Sequence, residues 1–224
     1  MKITNLNQID YDNTACNNMF SVDIEKGLSL KNKALSSKYF YDDIGSKLFQ
    51  KITKHSDYYL TKKEIEILNS IKTKLPKLLK LKEIDIIELG PGDGTKSKII
   101  IEGFIECNYA VNYYPIDISK KALHLLNIHG IVGEYIDGLK FIKKNSKNKQ
   151  LVLFLGSNIG NFERIHSIQF MKKIKNSIKK DSYVFVGFDL KKKIKILNKA
   201  YNDSSNLTKK FNLNLLKRML YYNE

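Results

Sequence analysis

The chain is short of cysteine, of arginine and of long apolar runs, and each shortage removes a class of protein. Cys16 and Cys107 stand alone and far apart in 224 residues, so neither a disulfide framework nor a paired-cysteine zinc site is on offer. The histidines, His55, His124, His129 and His166, show no ligand spacing, and no metal is expected. No run of about 18 uncharged apolar residues occurs, which leaves a membrane span unsupported. The opening MKITNLNQIDYDNT has no apolar stretch behind its lysine, so no secretory leader is read and the expected location is the cytoplasm. Of 39 basic residues only Arg164 and Arg218 are arginine, the side chain that grips phosphate and guanine with two parallel donors. The net charge of +16 therefore reads as solvated lysine rather than a nucleic-acid footprint. The abundance of Ile, Asn, Lys and Tyr, all with A/T-rich codons, accounts for those lysines as well.

What is present is a regular alternation. Residues 1–30 are polar and irregular and are expected to form an arm. SSKYFYDDIGSKLFQKITKHSDYYLT then brings a Tyr/Phe cluster and a short helix spacing at Leu48, Phe49 and Ile52. In TKKEIEILNSIKTKLP, Thr61 followed by Glu64 reads as a capping box, with Ile65, Leu68, Ile71 and Leu75 on one face. Buried strands are predicted at 83–89, 110–117, 130–136, 151–157 and 182–188. Helices are predicted at 96–106, 119–128, 137–145 and 164–179, and again at 191–203 and 206–221. Such alternation specifies βαβ units and a parallel sheet covered on both faces, the α/β class. The expected organisation is an N-terminal helical, substrate-side segment over 1–80, a Rossmann-like core over 81–190 and a last segment over 191–224.

The first of these strands runs into IIELGPGDGTKSKII, residues 86–100. A triphosphate loop, G-x-x-x-x-G-K-[ST], needs its lysine directly after the last glycine; here Thr95 separates Gly94 from Lys96. The dinucleotide pattern G-x-G-x-x-G is missed as well, because Gly90, Gly92 and Gly94 make G-x-G-x-G. A strand ending in an acid and then this spacing suits a ligand held by close backbone approach, without phosphate, which is how S-adenosylmethionine-dependent methyltransferases hold their cofactor. Asp117 closes the second strand in YYPIDIS, where a carboxylate accepts from both ribose hydroxyls; the bland alternative is a cap on the next helix, a place Ser119 fills equally well, and the glycine loop beside the acid favours the ribose.

On these residues the chain resembles the histidine-specific N-methyltransferases. That family includes the ergothioneine-pathway enzyme that methylates the α-amine of L-histidine, and fungal relatives that act on prenylated tryptophan. The matching stretches are KYFYDDIGSKLFQKITKHSDYYLTKKEIEIL, IIELGPGDGTKSKII, YYPIDIS, FLGSNIGNF and DLKKKIKILNKAYNDSSNLTKKFNLNLLKRM. They run in order over most of the chain. The resemblance implies S-adenosyl-L-methionine as cofactor and a small-molecule amino-acid substrate. By position, it places Gly90, Gly92, Gly94, Lys96, Asp117, Glu134 and Tyr135 at the cofactor, with Glu134 standing where the family usually has Asp. Tyr41 is implied to close over cofactor and substrate. Tyr58, Gly156, Asn161 and Tyr201 are implied to hold the substrate, and Tyr41, Asn161 and Tyr201 to align it for transfer.

Read locally, Tyr41 and Tyr58 fit core aromatics beside Phe40 and Phe49. Asn161 fits a helix cap, Gly160 a turn and Lys96 a solvated helix lysine. The resemblance is what assigns them to a site. It also implies a continuation past FNLNLLKRM, with two further strands and an acidic residue and a serine that recognise imidazole, whereas this sequence stops at Glu224. A sheet lacking the usual last two strands would leave an edge exposed. Three expectations compete: a fragment, an enzyme completed by a second chain, or a shorter relative with another substrate. Function is correspondingly expected to be N-methylation of an amino acid, histidine first. The alternatives are a non-catalytic module that binds cofactor or a partner, and, resting on the lysines alone, methylation of RNA.

Overall fold

The structure, a computed structural model, describes residues 2–6, 15–79, 82–117 and 129–221, and the side chains of 3–6, 20–79, 82–117 and 130–220. The chain divides into two compact units: one of Met1–Asn7 with Lys63–Asp189, the other of Gln8–Lys62 with Leu190–Glu224.

The first unit is a six-stranded parallel sheet of β1 (Lys2–Asn5), β2 (Glu83–Leu89), β3 (Ala110–Asp117), β4 (His129–Val132), β5 (Gln150–Phe154) and β6 (Tyr183–Val186), in the order β1-β4-β3-β2-β5-β6. The expected β-strands at 83–89 and 110–117 form as read. The third is shorter than 130–136 because Tyr135 begins a helix. β1 was not expected: the stretch read as irregular arm places KITN along β4, Lys2 opposite His129 through Asn5 opposite Val132. A four-residue edge strand with one apolar side chain carries almost no period-2 signal, and only its partner makes it a strand.

The central strands β2 and β5 are buried on both faces. Side chains alternate across the sheet. Ile87, Leu89, Val152 and Phe154 point to one face, with Leu139 and Ile142 of a helix at Tyr135–Asn145 and Ile174 of one at Arg164–Ser177. Ile84, Ile86, Leu151 and Leu153 point to the other, with Ile100 and Phe104 of a helix at Thr95–Glu106 and Leu68. Each such fully buried side chain contributes about 1.5–3 kcal/mol.

Numbered along the chain, the helices are α1 (Ala15–Ser29), α2 (Asp43–Lys54), α3 (Tyr59–Ile71), α4 (Lys74–Leu79), α5 (Thr95–Glu106), α6 (Tyr135–Asn145), α7 (Arg164–Ser177), α8 (Ile194–Tyr201) and α9 (Leu207–Tyr221). The helix expected at 119–128 lies outside the described residues. α3 begins at Tyr59, before Thr61, so the Thr61–Glu64 capping box does not form: Glu64 sits a full turn inside the helix. The division between the units falls within α3.

The second unit is helical. Asp42 caps α2, its Oδ1 accepting from the Gly45 N–H (2.6 Å) and from Asn214 Nδ2 of α9 (2.8 Å). Ile52, Tyr58, Leu60, Ala200 and Phe211 make its core, flanked by Phe40, Tyr41, Leu48 and Phe49.

Candidate functional site

In a parallel sheet, the place where strand order reverses opens a crevice at the carboxyl ends of the strands. Here the reversal lies between β2 and β5: from β2 the chain winds out through β3 and β4, then returns to β5 and β6 on the other side. The loops leaving β2 and β5 are those that carry the glycines.

After Leu89 the chain turns through Gly90, Gly92 and Gly94, with φ of 71°, 59° and 74°. These are left-handed values that an L side chain resists. Gly90 N–H donates to the Ile116 carbonyl (3.0 Å), tying the loop to β3. A Cβ on Gly90 would stand 2.7 Å from the Tyr135 hydroxyl, whereas one at Gly92 would meet nothing within 4 Å. The loop is therefore packed against Tyr135 at its start and open at its middle. After β5, Gly156 is also left-handed, at φ 77°. A Cβ there would lie 3.4 Å from Lys96 Nζ and 3.6 Å from Asn158 Nδ2. Gly90, Lys96, Tyr135, Asn158 and Gly156 thus converge within the first unit.

Lys96 is not a solvated helix lysine. Its Nζ lies 2.6 Å from Glu64 Oε2, with side-chain exposures of 23% and 15%. Glu64 also accepts from the Gly156 N–H, at 2.8 Å to Oε1 and 3.1 Å to Oε2. Beneath the loop, Glu88 is fully buried in the helix-covered sheet. Burial pushes its carboxyl up to about 7, against the pull of hydrogen bonds from Tyr113 and Ser97 and of nearby Lys96. Ser97 Oγ sits 2.9 Å from the Tyr113 hydroxyl and donates to the Gly94 carbonyl at 3.0 Å. Burial likewise raises the Tyr113 phenol. The sequence showed Glu88 as the acid ending a strand; Tyr113 and Asn158 were missed, and Glu64 was read only as the acid of a capping box.

The remaining residues of this unit are dispersed along the same edge. Asp117 ends β3, half-buried, its carbonyl accepting from the Gly133 N–H at 3.0 Å. Glu134 is exposed and precedes α6. Asn161 is exposed at the end of a 3-10 turn, Asn158–Asn161; the residue at the cap of α7 is Glu163, so Asn161 does not cap that helix.

The second unit brings Tyr41, Tyr58 and Tyr201 together. Tyr58 is buried and meets Tyr201 edge-on, centroids 6.0 Å apart at 87°. Tyr41 meets Phe49 (5.4 Å) and Phe211 (5.6 Å) edge-on. Burial, with nearby Tyr201, pushes the Tyr41 hydroxyl up to about 12. Tyr201 is 53% exposed, so its ring is the accessible part of the cluster. Asp57, next to Tyr58, accepts from the Ser204 N–H (3.1 Å) and hydroxyl (2.9 Å) and pairs with Lys199 (3.1 Å), which brings its carboxyl down to about 2. His55 Nε2 lies 2.9 Å from Ser205 Oγ, near that acid. The Asp57 N–H donates to His55 Nδ1, so the ring proton sits on Nε2 and points at Ser205. That tautomer cannot take the serine proton, and the serine, histidine and aspartate form no nucleophilic triad.

The sheet order and the glycine loops at the point of reversal define the class: a Rossmann-like α/β fold. The fold is shared with a plantazolicin methyltransferase crystallised with a triazolic desmethylPZN analog and SAH, at a TM-score of 0.51 and 13% identity, covering 87% of this chain and 66% of that one. The family model for histidine-specific, S-adenosylmethionine-dependent methyltransferases matches residues 20–221, and the chain belongs to that family. Among its relatives are ergothioneine biosynthesis protein 1 of Neurospora crassa, 30% identical over 197 residues, and the histidine N-alpha-methyltransferase of Mycolicibacterium smegmatis, 28% identical over 206. These alignments cover 83% and 87% of this chain but 22% and 63% of the relatives, so the chain spans less than two thirds of either. No helix among the described residues is long and apolar enough to cross a membrane.

Proposed function

We propose that the chain transfers methyl groups from S-adenosylmethionine to the α-amine of an amino acid, L-histidine being the leading substrate. The observation that carries this reading is the convergence of Gly90, Gly156, Lys96 and Tyr135 where the strand order reverses. The residues fit the cofactor chemically. The open middle of the loop at Gly92 leaves backbone free for close approach, and the lysine beside it is neutralised by Glu64. With Asp117 on the next strand, such an edge suits a sulfonium and disfavours a pyrophosphate.

In this reading Gly90, Gly92, Gly94 and Lys96 hold the cofactor's amino-acid end. Asp117 takes the ribose hydroxyls, and Glu134 and Tyr135 lie toward the base. When bound, the sulfonium supplies the methyl electrophile. The chain's own task is alignment, and the family resemblance assigns substrate contacts to Asn161 and Gly156 within the first unit and, within the second, to Tyr58 and Tyr201 with Tyr41 beside them. Alignment of this kind is worth up to about 7–11 kcal/mol. The Tyr41 hydroxyl, pushed up to about 12, stays protonated at neutral pH. It donates a hydrogen bond and does not serve as base, so the amine enters the reaction neutral.

The test is a methyl-transfer assay on the purified chain with a panel of amino acids. Methylated histidine is the expected product. Cofactor binding without product on any amino acid would replace the enzyme by a binding module.

A further inference from the structure

The segments that follow β2, β5 and β6 are separate in sequence, yet one side chain meets all three. Glu64 of α3 reaches Lys96 Nζ at 2.6 Å, on the first turn of the helix that follows the glycine loop. It takes the Gly156 N–H on both oxygens, 2.8 and 3.1 Å. It also lies against Gly187 after β6, where an added Cβ would come within 2.2 Å of Oε1 and 3.5 Å of the Leu155 Cα. A carboxylate with two short charge-assisted contacts and little exposure holds its partners firmly.

We propose that Glu64 is a positioning residue for the cofactor crevice: it aims Lys96 and fixes the left-handed Gly156 turn, so that the crevice is set before any ligand arrives. The inference rests on the cofactor reading above. An ammonium has three donors; with one spent on Glu64, the direction of the other two is determined rather than free. Gly156 has φ 77°, and its amide N–H donates to both carboxylate oxygens of Glu64. Glu64 thereby acts through Lys96 and not on the ligand itself, and Gly187 is glycine because the carboxylate occupies the space a side chain would need.

Two variants separate charge from shape. Glu64→Gln keeps the length and an oxygen for the Gly156 N–H but removes the anion; Lys96→Ala removes the group it is held to aim. Calorimetry with S-adenosylhomocysteine is expected to show about tenfold weaker binding for Glu64→Gln than for the wild type. In a Lys96→Ala background the same change is expected to add less than about twofold. An equal loss in both backgrounds, or no loss in the first, overturns the inference, since a merely structural glutamate would shift melting without this dependence on Lys96. The Lys96 ammonium resonance, followed by NMR without ligand, reads the clamp directly. It is expected to exchange slowly with water in the wild type and fast in Glu64→Gln, and fast exchange in both overturns the clamp. Absence of S-adenosylhomocysteine binding by the wild type would instead overturn the cofactor reading and leave the NMR result to decide the role of Glu64.

Discussion

The two units treat a buried carboxylate in opposite ways. In the sheet unit, Glu88 lies among hydrocarbon with two hydroxyl partners, and burial wins: its carboxyl is raised to about 7. In the helical unit, burial also opposes ionisation at Asp203, but the N–H groups of Thr208, Leu207 and Ser205 outweigh it and bring the acid down to about 2. Asp57 is lowered to about 2 by Ser204 and Lys199. The difference is donor supply. A strand directs its own N–H groups to neighbouring strands, so a strand acid has only side chains to satisfy it; an acid in a loop ahead of a helix has free N–H groups at hand.

The largest expected effect compares the two cores. Phe104 is fully buried between α5 and the sheet, and Phe211 is 8% exposed within the aromatic cluster. Urea unfolding of Phe104→Ala is expected to show a loss of about 4 kcal/mol, with Phe211→Ala nearer 3. A larger loss at Phe211 would reverse the ranking of the cores.

The second prediction turns on sign. Glu88 binds its proton more tightly folded than unfolded. Its side of the balance is therefore most favourable below about pH 4.5, falls as pH rises toward 7, and levels off above. Glu88→Gln is expected to be more stable than the wild type by about 3 kcal/mol at pH 8 and nearly equal at pH 4.5, in urea titrations at the two values. Asp57 and Asp203 run the other way. Their contributions are complete above about pH 3.8 and vanish as pH falls through about 2. Asp57→Asn should therefore destabilise at pH 7 and be indifferent at pH 2; the same pH trend for Glu88→Gln and Asp57→Asn would erase the contrast.

Asp203→Ala removes the acid that accepts three N–H groups ahead of α9, and about 1 kcal/mol is expected to go with it. The smallest effect is at Tyr201, which is half exposed: Tyr201→Phe should change stability by less than about 0.5 kcal/mol while lowering methyl transfer, and unchanged transfer would return this tyrosine to the packing of the cluster.

The sequence made the sheet legible where strands are long: Glu83–Leu89 and Ala110–Asp117 form as read. β1 was not legible, because four residues at an edge become a strand only through β4. The loop at Gly90–Gly94 was legible because its chemistry lies in local spacing. Glu64 was misread for the same reason: Thr61 and Glu64 have the spacing of a cap, while the true partner, Gly156, is 92 residues away. Glu88 gave away its identity but not its environment, since Ser97 and Tyr113 reach it only after the helix and third strand are folded.

Asp117 ends β3, one residue beyond the Ile116 carbonyl that holds the glycine loop, and is proposed to take the cofactor's ribose hydroxyls. Calorimetric titration with S-adenosylmethionine measures it directly. The wild type is expected to bind one equivalent. Asp117→Ala, losing two hydroxyl bonds to a charged acceptor, is expected to bind at least ~100-fold more weakly. Equal affinity in the two proteins would contradict the placement of the cofactor.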